Sequence, residues 1–228
     1  MRIAEIFHSV QGEGILAGVP SVFVRTSGCN LRCVWCDTPY TSWEPEGEDR
    51  TIDEIITETR RYPSRHVVIT GGEPFLAPDL HELTRRLNKS GAHITIETAG
   101  TVFKPVQCDL MSVSPKLSNS TPRKRAGGRF SESHEAHRLN SDVIRKFIEE
   151  YKYQLKFVIE QPEDLSEVNA ILQSVGNVDR SRVLLMAQGT SPEEIQAKSR
   201  WIVEICKEHG FRYTPRLHLD LFGNRRGT

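Results

Sequence analysis

The chain lacks a surplus of either charge, with 30 lysines and arginines against 30 aspartates and glutamates in 228 residues. A neutral body is not held to nucleic acid or an anionic membrane mainly by counterion release, so any such contact has to be local. Also missing is an apolar run of the roughly 18 residues that a membrane-spanning helix needs. At the amino end, Met1-Arg2-Ile3-Ala4-Glu5 sets an acid where a signal peptide carries its hydrophobic stretch. A cytoplasmic location is expected, with neither nucleic acid nor membrane as partner. No internal repeat at solenoid spacing and no linker divides the chain. Its length suits one sizeable core, so a single domain over 1–228 is expected. An even, spread set of cysteines is absent too. The five fall at 29, 33, 36, 108 and 206, three of them within eight residues. That clustering excludes a disulfide framework and points to metal or redox chemistry.

What is present is an alternation of short β-branched runs with stretches of helical period, which predicts an α/β fold with a mainly parallel sheet. Strands are expected near 3–8, 20–26, 66–70, 93–97, 109–113, 154–159 and 182–186. Thr51-Ile52-Asp53-Glu54 and Ser191-Pro192-Glu193-Glu194 each have the form of a capping box at a helix start. Further helices are expected at 78–90, 138–150 and 163–175. The stretch 116–134, rich in Ser, Gly, Pro and basic residues, reads as a loop or disordered insertion. Periodicity does not choose between a partly closed barrel and an open doubly wound sheet. In both, chemistry belongs on the loops at the carboxyl ends of the strands.

Cys29, Cys33 and Cys36 give the spacing C-x3-C-x2-C directly after the strand Ser21-Val22-Phe23-Val24-Arg25. Three thiolates on one loop suit three corners of a cubane iron–sulfur cluster and leave the fourth iron open to a chelating molecule. The alternative is zinc, which would need a fourth ligand such as His8, Asp37 or a distant cysteine, and no second C-x2-C supplies it. Cys108 and Cys206 lie among apolar positions and read as buried, unreactive thiols.

Other strands also end in chemistry. Gly71-Gly72-Glu73-Pro74 combines a glycine pair that permits close approach of a ligand with an acid able to accept from an ammonium group. Glu97 and Lys116 offer one acid and one base, although a cap and a solvated lysine explain them equally. Glu13 belongs to a glycine-punctuated loop with Gln11 and Gly12. Arg25 either pairs bidentately with a substrate carboxylate or forms a salt bridge to Glu13. Asp37-Thr38 sets a carboxylate and a hydroxyl where a hard cation such as magnesium could bind, or where a turn is capped.

The cysteine spacing, with Trp35 before the third Cys, resembles the cluster motif of radical S-adenosylmethionine enzymes, whose fold is a full or partial βα barrel. Phe7 to Gly14, Phe23 to Cys29, Trp35 to Thr38, Thr70 to Pro74, Ser114-Pro115-Lys116 and the ending Phe222 to Gly227 together resemble the 7-carboxy-7-deazaguanine synthase family. The resemblance implies a single-domain, incomplete βα barrel with a loop insertion at about 116–134. It implies ring contraction of 6-carboxy-5,6,7,8-tetrahydropterin to 7-carboxy-7-deazaguanine with loss of ammonia, on the route to 7-deazapurines such as queuosine.

By the same resemblance, Cys29, Cys33 and Cys36 hold a 4Fe-4S cluster. Trp35, Gly72, Glu73 and Ser114, Pro115 and Lys116 contact S-adenosylmethionine. Val10, Gln11, Gly12, Glu13, Arg25, Thr70 and Glu97 contact the pterin, and Thr38 gives an oxygen to Mg2+. A homodimer is implied. The basic run Arg123, Lys124, Arg125 and Arg129 reads as a solvated loop or a landing place for a flavodoxin-type reductant. Two positions depart from the family's strings: Ala99 stands where Asn is usual, and Met186-Ala187-Gln188-Gly189 replaces Met-Pro-Glu-Gly. Two other readings are a glycyl-radical-activating or other radical enzyme, and a zinc- or cluster-bearing RNA-binding module using residues 116–129.

Overall fold

A computed structural model describes residues 1–228. In chain order the strands are β1 (Arg2–Val10), β2 (Pro20–Thr26), β3 (Glu48–Asp49), β4 (His66–Gly71), β5 (His93–Thr98), β6 (Leu110–Val113), β7 (Tyr153–Ile159), β8 (Val183–Ala187) and β9 (Arg212–Tyr213). The helices are α1 (Pro39–Ser42), α2 (Ile52–Thr59), α3 (Leu80–Lys89), α4 (Ser131–His137), α5 (Ser141–Glu150), α6 (Asp164–Val175), α7 (Pro192–His209) and α8 (Leu217–Phe222). One sheet takes all nine strands in the order β3-β1-β2-β4-β5-β6-β7-β8-β9. From β2 onward every pairing is parallel, while β1 runs antiparallel to both β2 and β3. The two edge strands do not pair, so the barrel is incomplete.

All seven expected strands and the five expected helices form. Both capping boxes are present, with Thr51 and Ser191 each accepting from the backbone of the glutamate three residues on. Helix α7 stops where Gly210 turns left-handed at φ 70°, a conformation glycine adopts without steric cost. Segment 116–134 departs from the expectation of a structureless loop. It is built from helical turns at Ser118–Ser120 and Arg125–Gly128 followed by α4, and His134 within it is buried.

Alternation along the strands separates two faces. Val24, Ile69, Ile96, Val113, Phe157 and Leu185 join Ile55, Leu83, Ile144, Ile171 and Ile202 of the helices in one apolar core. The intervening residues include Arg25, Thr70, Glu97, Ser112, Gln154 and Lys156, which point to the other, concave face. A parallel strand covered on both sides is normally apolar throughout, so a polar row at period two marks a face that encloses something other than core.

The core's aromatic centre is Phe147, whose ring lies 5.0 Å from Phe75 and 5.1 Å from Phe103. Replacing it with alanine should cost about 3–5 kcal/mol of stability, since the transfer and cavity costs add. Urea unfolding of Phe147→Ala is expected to show a lowered midpoint with an unchanged slope.

Candidate active site

A cavity of about 610 Å³ opens at the carboxyl ends of the parallel strands. Every residue given above to the cluster, S-adenosylmethionine, the pterin or Mg2+ lines it except Glu73 and Pro115, while Cys108, Cys206 and the basic run Arg123, Lys124, Arg125 and Arg129 lie away from it. The concave row reaches it strand by strand. Glu5 pairs across the sheet with Arg25, Arg25 with Thr70, Glu97 with Ser112, and Ser112 with Gln154. Thr70 Oγ1 donates to Glu97 Oε2 at 2.9 Å, and Gln11 Nε2 donates to Glu97 Oε1 at 3.0 Å. Arg25 Nε donates to Glu5 Oε1 at 2.7 Å, and Tyr40 OH donates to the same oxygen at 2.7 Å. The partner of Arg25 is therefore Glu5 and not Glu13, because β1 and β2 are adjacent and antiparallel. Both Arg25 Nη groups are left without a partner in the chain.

Glu13 belongs to a different network. Its carboxylate receives Lys156 Nζ on one oxygen and Arg216 Nε, at 3.1 Å, on the other. Arg216 also donates to the Asp37 carboxylate and to the Gly189 carbonyl. Burial pushes the Glu13 carboxyl upward, but Lys156, Arg216 and His218 outweigh it and hold it well below the usual carboxylate range. Burial likewise opposes ionisation of Asp37, and Arg216 overcomes it. Lys156, for its part, is kept charged against its burial by Glu13 and Glu97. Composition gave no sign of Arg216 or His218. Lys156 carried one, being a lysine inside the apolar run Tyr153–Ile159, which is buried along its whole length.

The three cysteines occupy one wall. Leu31 N donates to Cys29 Sγ at 3.3 Å, and Cys36 Sγ lies 3.3 Å from Ser42 Oγ. Burial raises the Cys29 thiol to about 11 and the Cys33 thiol to about 12. Thiols so placed ionise when a metal displaces the proton. No three Cys, His, Asp or Glu side chains converge on one point as ligands of a single ion would. In a cubane each thiolate binds a different iron, so the ligands surround a volume instead, and this donor set fits such a cluster.

The glycine pair forms the adjoining edge. A Cβ on Gly72 would come within 2.0 Å of the Gly28 carbonyl, and one on Gly71, at φ 133°, within 2.1 Å of the Thr26 carbonyl. Glu73 N donates to Gly28 O at 2.8 Å, which fastens this turn to the start of the cysteine loop. The Glu73 side chain corrects the expectation from sequence. It is 1% exposed and accepts from Thr98 Oγ1, from Ala99 N at 2.9 Å and from Phe75 N at 3.1 Å. Burial raises its pKa against those bonds. With its oxygens engaged, Glu73 braces β4 to the end of β5 instead of facing a ligand. Pro115 is buried behind Ser114 and Lys116, where Lys116 Nζ donates to Ser114 O at 2.9 Å.

Segment 116–134 packs on the outside of the cysteine loop. Trp35 Nε1 donates to Asn119 Oδ1 at 3.3 Å, and Arg125 Nη1 donates to Val34 O at 2.9 Å while its guanidinium lies 3.9 Å from the Trp43 ring. Thr38 lines the cavity with its hydroxyl 3.8 Å from Cys36 Sγ.

Residues 23–136 match the model of the radical SAM superfamily, and the fold and three-thiol wall accord with it. The chain is thus a radical S-adenosylmethionine protein, and that membership implies a 4Fe-4S cluster and S-adenosylmethionine. The chain is 44% identical to 7-carboxy-7-deazaguanine synthase of Halobacterium salinarum over 98% of its length and 91% of that protein's. It is 42% identical to the Rhodopirellula baltica enzyme of the same name, over 100% of its length and 89% of the relative's. The solved structure of QueE from Escherichia coli superposes with a TM-score of 0.71 at 26% identity, covering 95% of this chain and 94% of that one. TYW1 with a lysine-pyruvate adduct, at 13% identity and a TM-score of 0.57, covering 81% of this chain and 73% of that one, shares the fold. Within the superfamily, the chain belongs to the 7-carboxy-7-deazaguanine synthase family. Neither an activating enzyme nor an RNA-binding module is favoured by these relatives.

Two variants test the geometry. Gly72→Ala should stay soluble yet lose most of its cluster, measured as iron per chain after anaerobic reconstitution, because the added methyl displaces the Gly28 turn. Glu13→Gln leaves Lys156 without its counter-charge and should cost about 3 kcal/mol near pH 7. Because the Glu13 pKa is lowered on folding, its contribution is present above the ordinary carboxylate range and lost in acid. Urea unfolding should therefore show a gap between wild type and variant that holds from pH 7 to about 5 and narrows below about pH 4.

Proposed function

We propose that the chain makes 7-carboxy-7-deazaguanine from 6-carboxy-5,6,7,8-tetrahydropterin, with loss of ammonia, at this cavity. The observation that carries the reading is the junction of a three-thiol wall with a row of polar side chains in one cavity of about 610 Å³. Cys29, Cys33 and Cys36 would hold the cluster. With S-adenosylmethionine it supplies a 5′-deoxyadenosyl radical by reductive cleavage.

The chain's own residues do the binding and aiming. The free Nη pair of Arg25 matches a substrate carboxylate in the bidentate geometry that a guanidinium favours. Glu97 holds one donor on each oxygen and keeps lone pairs for ring N–H groups. The backbone of Val10, Gln11 and Gly12 forms the facing edge. Glu13 contributes to the pterin site by fixing that edge, since its own oxygens are taken by Lys156 and Arg216. Trp35, Gly72, Ser114 and Lys116 would contact S-adenosylmethionine. Asp37 is committed to Arg216, which supports the Thr38 hydroxyl as the side-chain oxygen given to Mg2+.

Two partners complete the proposal. Leu221 and Phe222 stand exposed on α8 and supply apolar surface for a homodimer. Arg123, Lys124, Arg125 and Arg129, with no acid between residues 116 and 131, suit an acidic flavodoxin-type reductant reaching the cysteine loop from outside. No helix is long and apolar enough to cross a membrane.

Anaerobic reconstitution with reductant, S-adenosylmethionine and the tetrahydropterin, followed by mass analysis, tests the reading; a loaded, reduced protein that forms no deazaguanine would sink it. Arg25→Ala should raise KM for the pterin about tenfold or more, as expected for loss of charge-assisted bonds, while uncoupled cleavage of S-adenosylmethionine persists. Cys33→Ala should abolish iron uptake, and Cys206→Ala, altered in the core, should leave it intact.

A further inference from the structure

We propose that His134 is a positioning residue for the cysteine loop: it captures the backbone N–H of Arg32 and so leaves the Cys33 sulfur without a hydrogen-bond donor. The proposal rests on the cluster reading above and concerns a side chain that the reaction itself does not use.

Arg32 and Val34 flank Cys33, and segment 117–134 takes both of their N–H groups. Arg32 N donates to His134 Nδ1 at 3.1 Å, and Val34 N donates to Ser120 O at 2.7 Å. His134 is 1% exposed. Since its Nδ1 accepts, the ring proton sits on Nε2, which faces Ser120 Oγ at 2.9 Å; that hydroxyl in turn donates to Leu117 O at 2.6 Å. Every polar atom of the relay is satisfied, and each link has one direction only.

The three sulfurs consequently differ. Cys29 Sγ receives the N–H of Leu31, and Cys36 Sγ has the hydroxyls of Ser42 and Thr38 beside it, whereas Cys33 Sγ has no donor in the chain. A donor to a ligand sulfur stabilises the more negative, reduced cluster and raises its potential. By holding the Arg32 amide away, His134 keeps the Cys33 corner electron-rich and the potential low. One buried side chain of the otherwise surface helix α4 would thereby set an electronic property of a loop about a hundred residues earlier in the chain.

Two substitutions separate the halves of the relay. His134→Asn brings an amide oxygen near the place of Nδ1 and can still accept from Arg32. His134→Gln reaches toward the place of Nε2 and can keep Ser120 while losing Arg32. Amide hydrogen exchange on the metal-free protein should show Arg32 exchanging about tenfold faster in His134→Gln and near the wild-type rate in His134→Asn. In reconstituted protein, the midpoint potential of His134→Gln should rise and the g-values of its reduced cluster should shift, with His134→Asn close to wild type on both.

An Arg32 amide that stays protected in His134→Gln overturns the proposal. So does a fully loaded His134→Gln whose potential and spectrum match wild type. If His134→Gln takes up no cluster, His134→Asn decides alone: a wild-type signature supports the role, and a shifted one overturns it. A wild-type chain that takes up no iron removes the reading of the site and the electronic claim with it, while the exchange comparison still reports on the relay.

Discussion

Three charged side chains that cannot be buried singly, joined at the surface by a fourth, hold the cavity together. Glu13, Lys156, Arg216 and Asp37 form an alternating, electrically neutral chain across the cavity. Glu13, Lys156 and Arg216 would each incur a large desolvation cost alone, and all four are satisfied by neighbours that come from distant parts of the sequence. Glu13 is 143 residues from Lys156 and 203 from Arg216, and Asp37 is 179 from Arg216. The loop after β1, the interior of β7, the cysteine loop and the segment leading into α8 are therefore locked as one body. Backbone bonds reinforce the same junction, with Leu217 N donating to Gly12 O at 2.9 Å and Gly14 N to Thr214 Oγ1 at 2.6 Å. The unpaired side of the barrel is bridged by these loops in place of a strand.

Much of this architecture was legible because parallel strands announce themselves through β-branched runs, and because a polar residue at alternate positions stands out within them. Arg25, Thr70 and Glu97 are such intrusions, and they meet in one row. Their partners were not legible. Arg25 could be given to Glu13 or to a substrate from sequence, yet strand adjacency assigns it Glu5. Glu73 sits beside a correctly recognised glycine pair, but the direction of its carboxylate is fixed by Thr98 and Ala99 on the next strand. The composition of 116–134 speaks for a loop, and only the burial of His134 against Arg32 turns it into packed structure. Local pattern carries element type; pairing across a hundred residues is tertiary information.

The cysteine wall illustrates how metal and fold are coupled. Its backbone is fixed before loading by Gly28 N donating to Thr41 O at 2.9 Å and by the close contact of Gly72 with Gly28. Burial nonetheless raises two of its thiols, Cys29 to about 11 and Cys33 to about 12, which favours their protonated form at neutral pH. Cluster insertion must expel those protons, so occupancy is favoured by alkaline conditions and opposed by acid. A geometrically prepared but protonated loop keeps buried negative charge off the molecule until iron arrives to neutralise it.

The sheet's margins carry a consequence of their own. Strands β3 and β9, which form the two borders, are each two residues long, and Glu48, Asp49 and Arg212 supply charge there. A long flat border of unpaired amides would template pairing with other chains. Borders this short offer almost no such template, and charged side chains further discourage stacking. The half-made barrel can thus keep two unpaired borders without becoming a nucleus for fibrils.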